Sequence, residues 1–186
     1  MTEYLIGIVA AALVNDMTLS RGETDDTLAK LKRAACMGAA TVVVTLCASV
    51  LSYALYYGAL SPLGLEAACV PLCMLTAAGC AALAGRLSRN GEGALAAFLE
   101  SNWPLVALNA AVLGALVHGI ATGYSFGGNV LSALGASVAF GASLVLMTAI
   151  DARMDTEALP KNVRGLPAYL LTAALISMAL MAFNGL

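Results

Sequence analysis

The chain has 186 residues, of which 61% are hydrophobic and 11% charged, with a mean hydropathy of +0.89. A soluble domain carries about 45–50% apolar and about 25% charged residues, so this composition is that of a membrane protein with almost no mass outside the bilayer. A net charge of −2 and a pI of about 5.2 leave no basic surface able to neutralise a run of phosphates, which excludes nucleic acid as a partner.

All nine Lys and Arg residues lie in three polar stretches, Arg21 to Arg33, Arg86 to Arg89 and Arg153 to Arg164. Six apolar pieces lie around them, so the basic loops fall on every second connection and one membrane face holds every cationic side chain. Cytoplasmic loops retain Lys and Arg during insertion. The expected topology therefore puts these loops in the cytoplasm, with the chain multi-pass in the membrane. Both termini, the Gly58 to Pro62 link and the His118 to Gly128 link then face outward. Glu3 stands near the start with no Lys or Arg before Arg21, the wrong charge for a cleaved secretory signal, so Met1 is expected to begin the mature protein.

In chain order, the first apolar piece, Tyr4 to Met17, is too short to cross a core of ~30 Å at ~1.5 Å per residue, and is expected to stop near mid-depth. The second, Ala34 to Tyr57, is long enough to span and ends in Tyr53, Tyr56 and Tyr57, the residue type favoured at a headgroup boundary. The third, about Pro62 to Gly85, is also a full span. The fourth starts at Gly93 and meets Pro104, which removes a backbone donor and disfavours helix at Trp103, so a break is predicted there. It resumes from Leu105 to about Ala121. The fifth, Asn129 to Ile150, and the sixth, Leu166 to Phe183, read as plain spans.

The halves resemble one another weakly. Met37-Gly38-Ala39-Ala40-Thr41-Val42 is similar to Leu134-Gly135-Ala136-Ser137-Val138, and the short first piece pairs with the interrupted fourth. The predicted fold is an all-α membrane protein in one polytopic domain over 1–186. Its six transmembrane segments form a 3+3 inverted repeat (1–85 and 91–186), with the first and fourth segments short or broken half-helices. An odd number of helices per unit makes the copies point in opposite directions, and matched broken segments mark the working site of such folds.

Three groups of residues are candidates for chemistry. Asn15 and Asp16 end the short first piece and Asn109 follows the fourth-segment break; an ionised Asp at depth costs ~2.5–3.5 kcal/mol unless answered. Either Asn15, Asp16 and Asn109 face one another and line an ion or cofactor site, or Asn15 and Asp16 cap broken helix ends and stay wet. Cys69, Cys73 and Cys80 share one helical stripe, but one helix does not close a metal cage, and Cys in an alanine-rich span is more often a small packing residue. The same holds for Cys36 and Cys47. His118, the single histidine, reads as a proton-relay residue or as a boundary residue touching water or headgroups. Gly135, Ser137, Gly141 and Ser143 permit close helix contact.

Leu13-Val14-Asn15-Asp16, then Pro104-Leu105-Val106-Ala107-Leu108-Asn109-Ala110-Ala111-Val112-Leu113-Gly114, and the Phe183-Asn184-Gly185-Leu186 tail resemble the integral membrane subunits of the Rnf and Nqr redox pumps. The resemblance is closest to the RnfA/NqrE branch and covers essentially the whole chain. It implies pairing with an inverted RnfE/NqrD-type homologue and a [2Fe–2S] cluster held by cysteines of the paired half-helices. It also implies electron transfer, between ferredoxin and NAD or from NADH to quinone, coupled to movement of Na+ or H+. The chain departs from the pattern where the cluster would bind. Family members have Thr-Asn-Cys-Ala-Val-Leu-Gly in the fourth segment, whereas Ala110 stands at that cysteine here, and the family's Gly-Leu-Cys-Pro stretch is replaced by a charged Ser20 to Thr27 segment without Cys. Neither thiolate carries over, so no catalytic residue and no metal or cofactor ligand is expected on this chain alone. The leading expectation is a non-catalytic membrane subunit of an Rnf/Nqr-like complex. A small secondary carrier for an ion or solute, and a structural scaffold subunit, are the alternatives.

Overall fold

A computed structural model of the chain describes residues 27–89, 93–153 and 166–182, and among them every regular element is helical. The elements are α1 (Thr27–Leu55), continued by a π-helical turn (Tyr56–Leu60), then a short 3-10 turn (Glu66–Ala68) leading into α2 (Cys69–Ser88). They continue with α3 (Ala94–Ala107), α4 (Ala110–Ala121), α5 (Phe126–Asp151) and α6 (Leu166–Ala182). Asn15, Asp16, the Tyr4 to Met17 piece and the Phe183 to Leu186 tail lie outside the described residues.

Three of these helical runs, Leu28–Leu60, Glu66–Ser88 and Phe126–Asp151, are long and apolar enough to cross a bilayer, and α3 with α4 forms a fourth candidate bent by 60°. A span needs about 20 apolar residues, so the 33-residue first run overshoots the hydrocarbon and carries Lys30, Lys32 and Arg33 on its first turns. At 17 residues α6 is shorter. The second and third spans thus match the predicted pieces with shifted ends: α1 begins seven residues before Ala34, and α2 runs on through Arg86 to Ser88.

Why the bundle holds is visible in its small residues. Helices α1 and α5 make the most extensive contact, and α2 packs chiefly on α3. At the α1–α5 crossing Gly38 meets Gly141 backbone to backbone: a Cβ on Gly38 would lie 2.9 Å from Gly141 Cα. Without a hydrophobic drive between helices in lipid, such close approach supplies the dispersion contact that associates them. Gly141 thus serves the packing expected of it, whereas a Cβ on Gly135 would meet nothing within 4 Å. The central core is Ala34, Met37, Val44, Phe98, Val106, Phe140 and Leu144 with small alanines between them; a second cluster gathers Ala48, Cys73, Ala77, Val112 and Leu116.

These contacts also fix helix directions. Gly38 opposes Gly141 and Ser49 opposes Asn129, so α1 and α5 are antiparallel. Ala34, Ala81 and Phe98 share one cluster, which brings the start of α1, the end of α2 and the start of α3 together. Hence Lys30, Lys32, Arg33, Arg86, Arg89 and Arg153, the cations among the described residues, gather at one end of the bundle. The opposite end is aromatic: Tyr53 lies 4.5 Å from Tyr57 and 5.5 Å from Phe126, and Tyr56 lies 5.2 Å from Tyr57, ring centre to ring centre.

Candidate polar site at a broken membrane helix

The predicted interruption of the fourth segment is present at Asn102, one residue before Trp103, and a second break that was not predicted follows at Leu108 and Asn109. Helix α3 continues through Trp103 and Pro104 to Ala107, and the proline is accommodated by a local distortion at Asn102 (φ −120°, ψ 18°), whose Nδ2 donates to the Phe98 carbonyl at 3.2 Å. The second break is at Leu108 and Asn109. Leu108 N–H closes α3 onto the Pro104 carbonyl at 3.1 Å, and Asn109 turns extended (φ −70°, ψ 119°) before α4 begins. Helices of 14 and 12 residues on either side measure about 21 Å and about 18 Å, which puts the break near the middle of the segment.

Asn109 holds the break. It is 1% exposed and acts as the N-cap of α4: its Oδ1 accepts from Ala111 N–H at 2.9 Å, and its carbonyl accepts from Val112 and Leu113 N–H. A helix start leaves backbone donors without partners, and a short amide side chain answers one of them. The Nδ2 group reaches across to Thr41 Oγ1 on α1 at 3.4 Å. The residue predicted to sit a few positions inside the resumed helix is therefore its cap.

Thr41 belongs to a column of hydroxyls that sequence reading did not single out. Thr41, Thr45, Ser49 and Ser52 are all fully buried, at spacings that keep them on one face of α1. Each donates to a carbonyl of the preceding turn: Thr41 to Met37 (2.8 Å), Thr45 to Thr41 (2.6 Å), Ser49 to Leu46 (2.9 Å) and Ser52 to Ser49 (3.2 Å). The column is thus satisfied locally, and its oxygens retain acceptor capacity. At its other end stands Asn129 of α5, 1% exposed, whose Nδ2 donates to the Ser49 carbonyl at 3.2 Å. Asn129 Oδ1 is a buried oxygen with no hydrogen-bond partner among the described residues, and it is aimed at Gly119 of α4, where a Cβ would collide with it. Rotating the amide would set oxygen against the Ser49 carbonyl, so the orientation is fixed by that bond. The signal in the sequence was the Thr41, Thr45, Ser49 spacing; Asn129 itself was hidden as the first residue of what reads as a plain span.

Asn109 and Asn129 therefore contact α1 eight residues apart, at Thr41 and Ser49, about 12 Å along its axis. The named contacts of the seam are neutral oxygen and amide, and half-buried His118 adjoins Gly119 at its Asn129 end. The chemistry of these contacts is that of dipoles, which can replace part of a hydration shell.

The other candidates do not join it. His118 is half-buried, its ring 6.2 Å from that of Tyr124 and its carbonyl accepting from Thr122 Oγ1 at 2.7 Å, at the aromatic end of the bundle. Cys36, Cys47, Cys69, Cys73 and Cys80 are free thiols; Cys73 is buried in the second apolar cluster, with Cys69 and Cys80 packed against it. Among the described residues no three His, Cys, Asp or Glu side chains gather as metal ligands would. The [2Fe–2S] cluster implied by the resemblance does not fit the described donor set, because Ala110, exposed as the first residue of α4, offers a methyl where a thiolate would have to stand.

Residues 27–186 match the Rnf-Nqr subunit family of membrane proteins. The chain is 31% identical to a subunit of the Na(+)-translocating ferredoxin:NAD(+) oxidoreductase complex of Acetobacterium woodii, over 96% of this chain and 95% of that protein. It is 31% identical to a subunit of the ion-translocating oxidoreductase complex of Aliivibrio fischeri and 32% identical to its counterpart in Syntrophotalea carbinolica, in each case over 100% of this chain and 98% of the relative. With its apolar spans, its broken fourth segment and this match over most of its length, the chain belongs to the Rnf-Nqr family of multi-pass membrane subunits.

Proposed function

We propose that this chain is a membrane subunit of an ion-translocating, Rnf/Nqr-like electron-transfer complex, and that it contributes a polar mid-membrane passage instead of a redox centre. One observation carries the reading: a membrane helix broken at half its length and capped by buried Asn109, which is bonded to a buried hydroxyl column. Irregular backbone at such depth persists where protein or a cavity satisfies it, and broken helices of this kind present backbone and amide dipoles to ions. Asn15 and Asp16 complete the polar midplane on this reading, with Na+ or H+ as the coupling ion. The antiparallel α1–α5 pair crossing at Gly38 and Gly141 supports the 3+3 inverted repeat, and the clustering of cations at one bundle end supports cytoplasmic basic loops with both termini outside. The partners are other membrane subunits, foremost an inverted RnfE/NqrD-type homologue, in a prokaryotic inner membrane.

The test is purification of the native assembly with subunit identification and iron counting, followed by Asn109→Ala in that assembly. Redox subunits should co-purify, their own motifs should account for all the iron, and the ratio of ions moved to electrons transferred should fall severalfold in the variant. Purification as a single chain that performs ion-dependent uptake in liposomes would instead make it a carrier.

A further inference from the structure

The end of the bundle that carries the cations holds a pocket independent of the Asn109 seam. It is lined by Ala82, Gly85, Arg86 and Arg89 from α2 and the turn after it, and by Glu100 and Trp103 from α3. Its construction is specific. Gly85 is buried against Trp103, so closely that a Cβ there would lie 3.0 Å from Trp103 Cβ and 3.2 Å from Cδ1; the indole takes its place as a wall because residue 85 has no side chain. One turn further out, Arg89 Nε donates to Glu100 Oε1 at 3.4 Å. That contact uses Nε and leaves the terminal fork of the guanidinium outside it, and no carboxylate among the described residues pairs with Arg86. Two guanidinium groups against one carboxylate leave the pocket cationic.

Polarity runs in order with depth. Arg89 and Arg86 stand at the end of the Glu66–Ser88 span, Gly85 and the Trp103 ring lie next, and Ala82 lies about 10 Å below Arg89 along the helix axis. Cation at the rim, aromatic ring beneath it and small apolar wall below is the reverse image of a phospholipid, whose phosphate, glycerol backbone and acyl chain follow the same order. Tryptophan settles at headgroup level, and basic pockets between membrane helices take anionic headgroups. Arginine adds a planar fork matched to phosphate oxygens. We infer that the pocket formed by Arg86, Arg89 and Trp103 between α2 and α3 binds the phosphate headgroup of an anionic phospholipid.

The test is native mass spectrometry of the full-length chain purified in detergent and titrated with phosphatidylglycerol, with phosphatidylcholine as the uncharged comparison. The Arg86→Gln/Arg89→Gln variant should retain phosphatidylglycerol about 30-fold less well, from the loss of two surface cations, with phosphatidylcholine unchanged. Lys30→Gln/Lys32→Gln removes two cations at the same end of the bundle but outside the pocket, and should leave retention as it was. Glu100→Gln, which raises the local positive charge, should match or exceed the parent, and Trp103→Leu should weaken retention with both arginines in place. An unchanged titration in Arg86→Gln/Arg89→Gln overturns the inference, as does an equal loss in the lysine variant, which would reduce the effect to general surface charge. Displacement of the lipid by millimolar inorganic phosphate would assign the pocket to a free anion and overturn the lipid reading. None of these outcomes bears on whether the chain serves a redox complex.

Discussion

Replacing Asn109 by alanine removes, among its contacts, a cap and a bond to another helix. The first is the cap to Ala111 N–H at 2.9 Å. Loss of an Asn cap costs about 0.5–2 kcal/mol, and an N–H left buried without a partner about 1–3 kcal/mol, overlapping quantities that describe one event. The second is the 3.4 Å bond to Thr41 Oγ1, long enough to lie at the weak end of the ~0.5–1.5 kcal/mol range. Thr41 is not orphaned by the change, because its hydroxyl still donates to the Met37 carbonyl at 2.8 Å. The cap therefore dominates, and a total of about 2 kcal/mol is expected. At about 2–4 °C per kcal/mol for a chain of this size, Asn109→Ala should lower the midpoint of thermal unfolding in detergent by about 4–8 °C. Asn109→Ser keeps an oxygen at the cap and loses the reach to α1, so it should recover most of the loss. A midpoint within about 1 °C of the parent for Asn109→Ala, or equal damage from serine and alanine, would refute the view that this side chain holds the break.

Two further comparisons probe the packing around the seam. Gly38→Ala drives a methyl into the Gly141 backbone and should cost about 1–3 kcal/mol, whereas Gly79→Ala on α2, where a Cβ meets nothing within 4 Å, should be neutral or stabilise by up to about 1 kcal/mol; equal midpoints for the two would contradict the α1–α5 crossing. Gly119→Ala displaces the Asn129 carboxamide from the Ser49 carbonyl and should cost about 1–3 kcal/mol in the parent, but far less once Asn129→Ala has vacated the space. Additive effects in that double-mutant cycle would show that Gly119 and Asn129 do not touch.

The expectations that held rest on length, polarity and charge. Apolar runs such as Phe126–Asp151 exceed what a bilayer requires, and this is a property of the chain before it folds. The gathering of Lys30, Arg86, Arg89 and Arg153 at one end follows from parity alone, since each span reverses direction. The kink beside Trp103 was legible as a proline within an apolar run and lies at Asn102, whereas the second break, at Leu108 and Asn109, was not legible. Pro104 forces the kink at Asn102, and helical backbone then resumes as far as Ala107, where no proline or glycine announces the second break.

The chain by itself decided which segments are apolar enough to enter the membrane and how many polar side chains go with them, because transfer into lipid is a sum over neighbouring residues. Only the tertiary structure decided which polar groups meet. Asn109 finds Thr41 across 68 positions and Asn129 finds Ser49 across 80, while Gly141 rather than Gly135 lies at the crossing with α1. The physical reason is range: a cap or a glycine looks the same in any helix until a second helix arrives, and which neighbour arrives is set by packing between segments far apart in sequence.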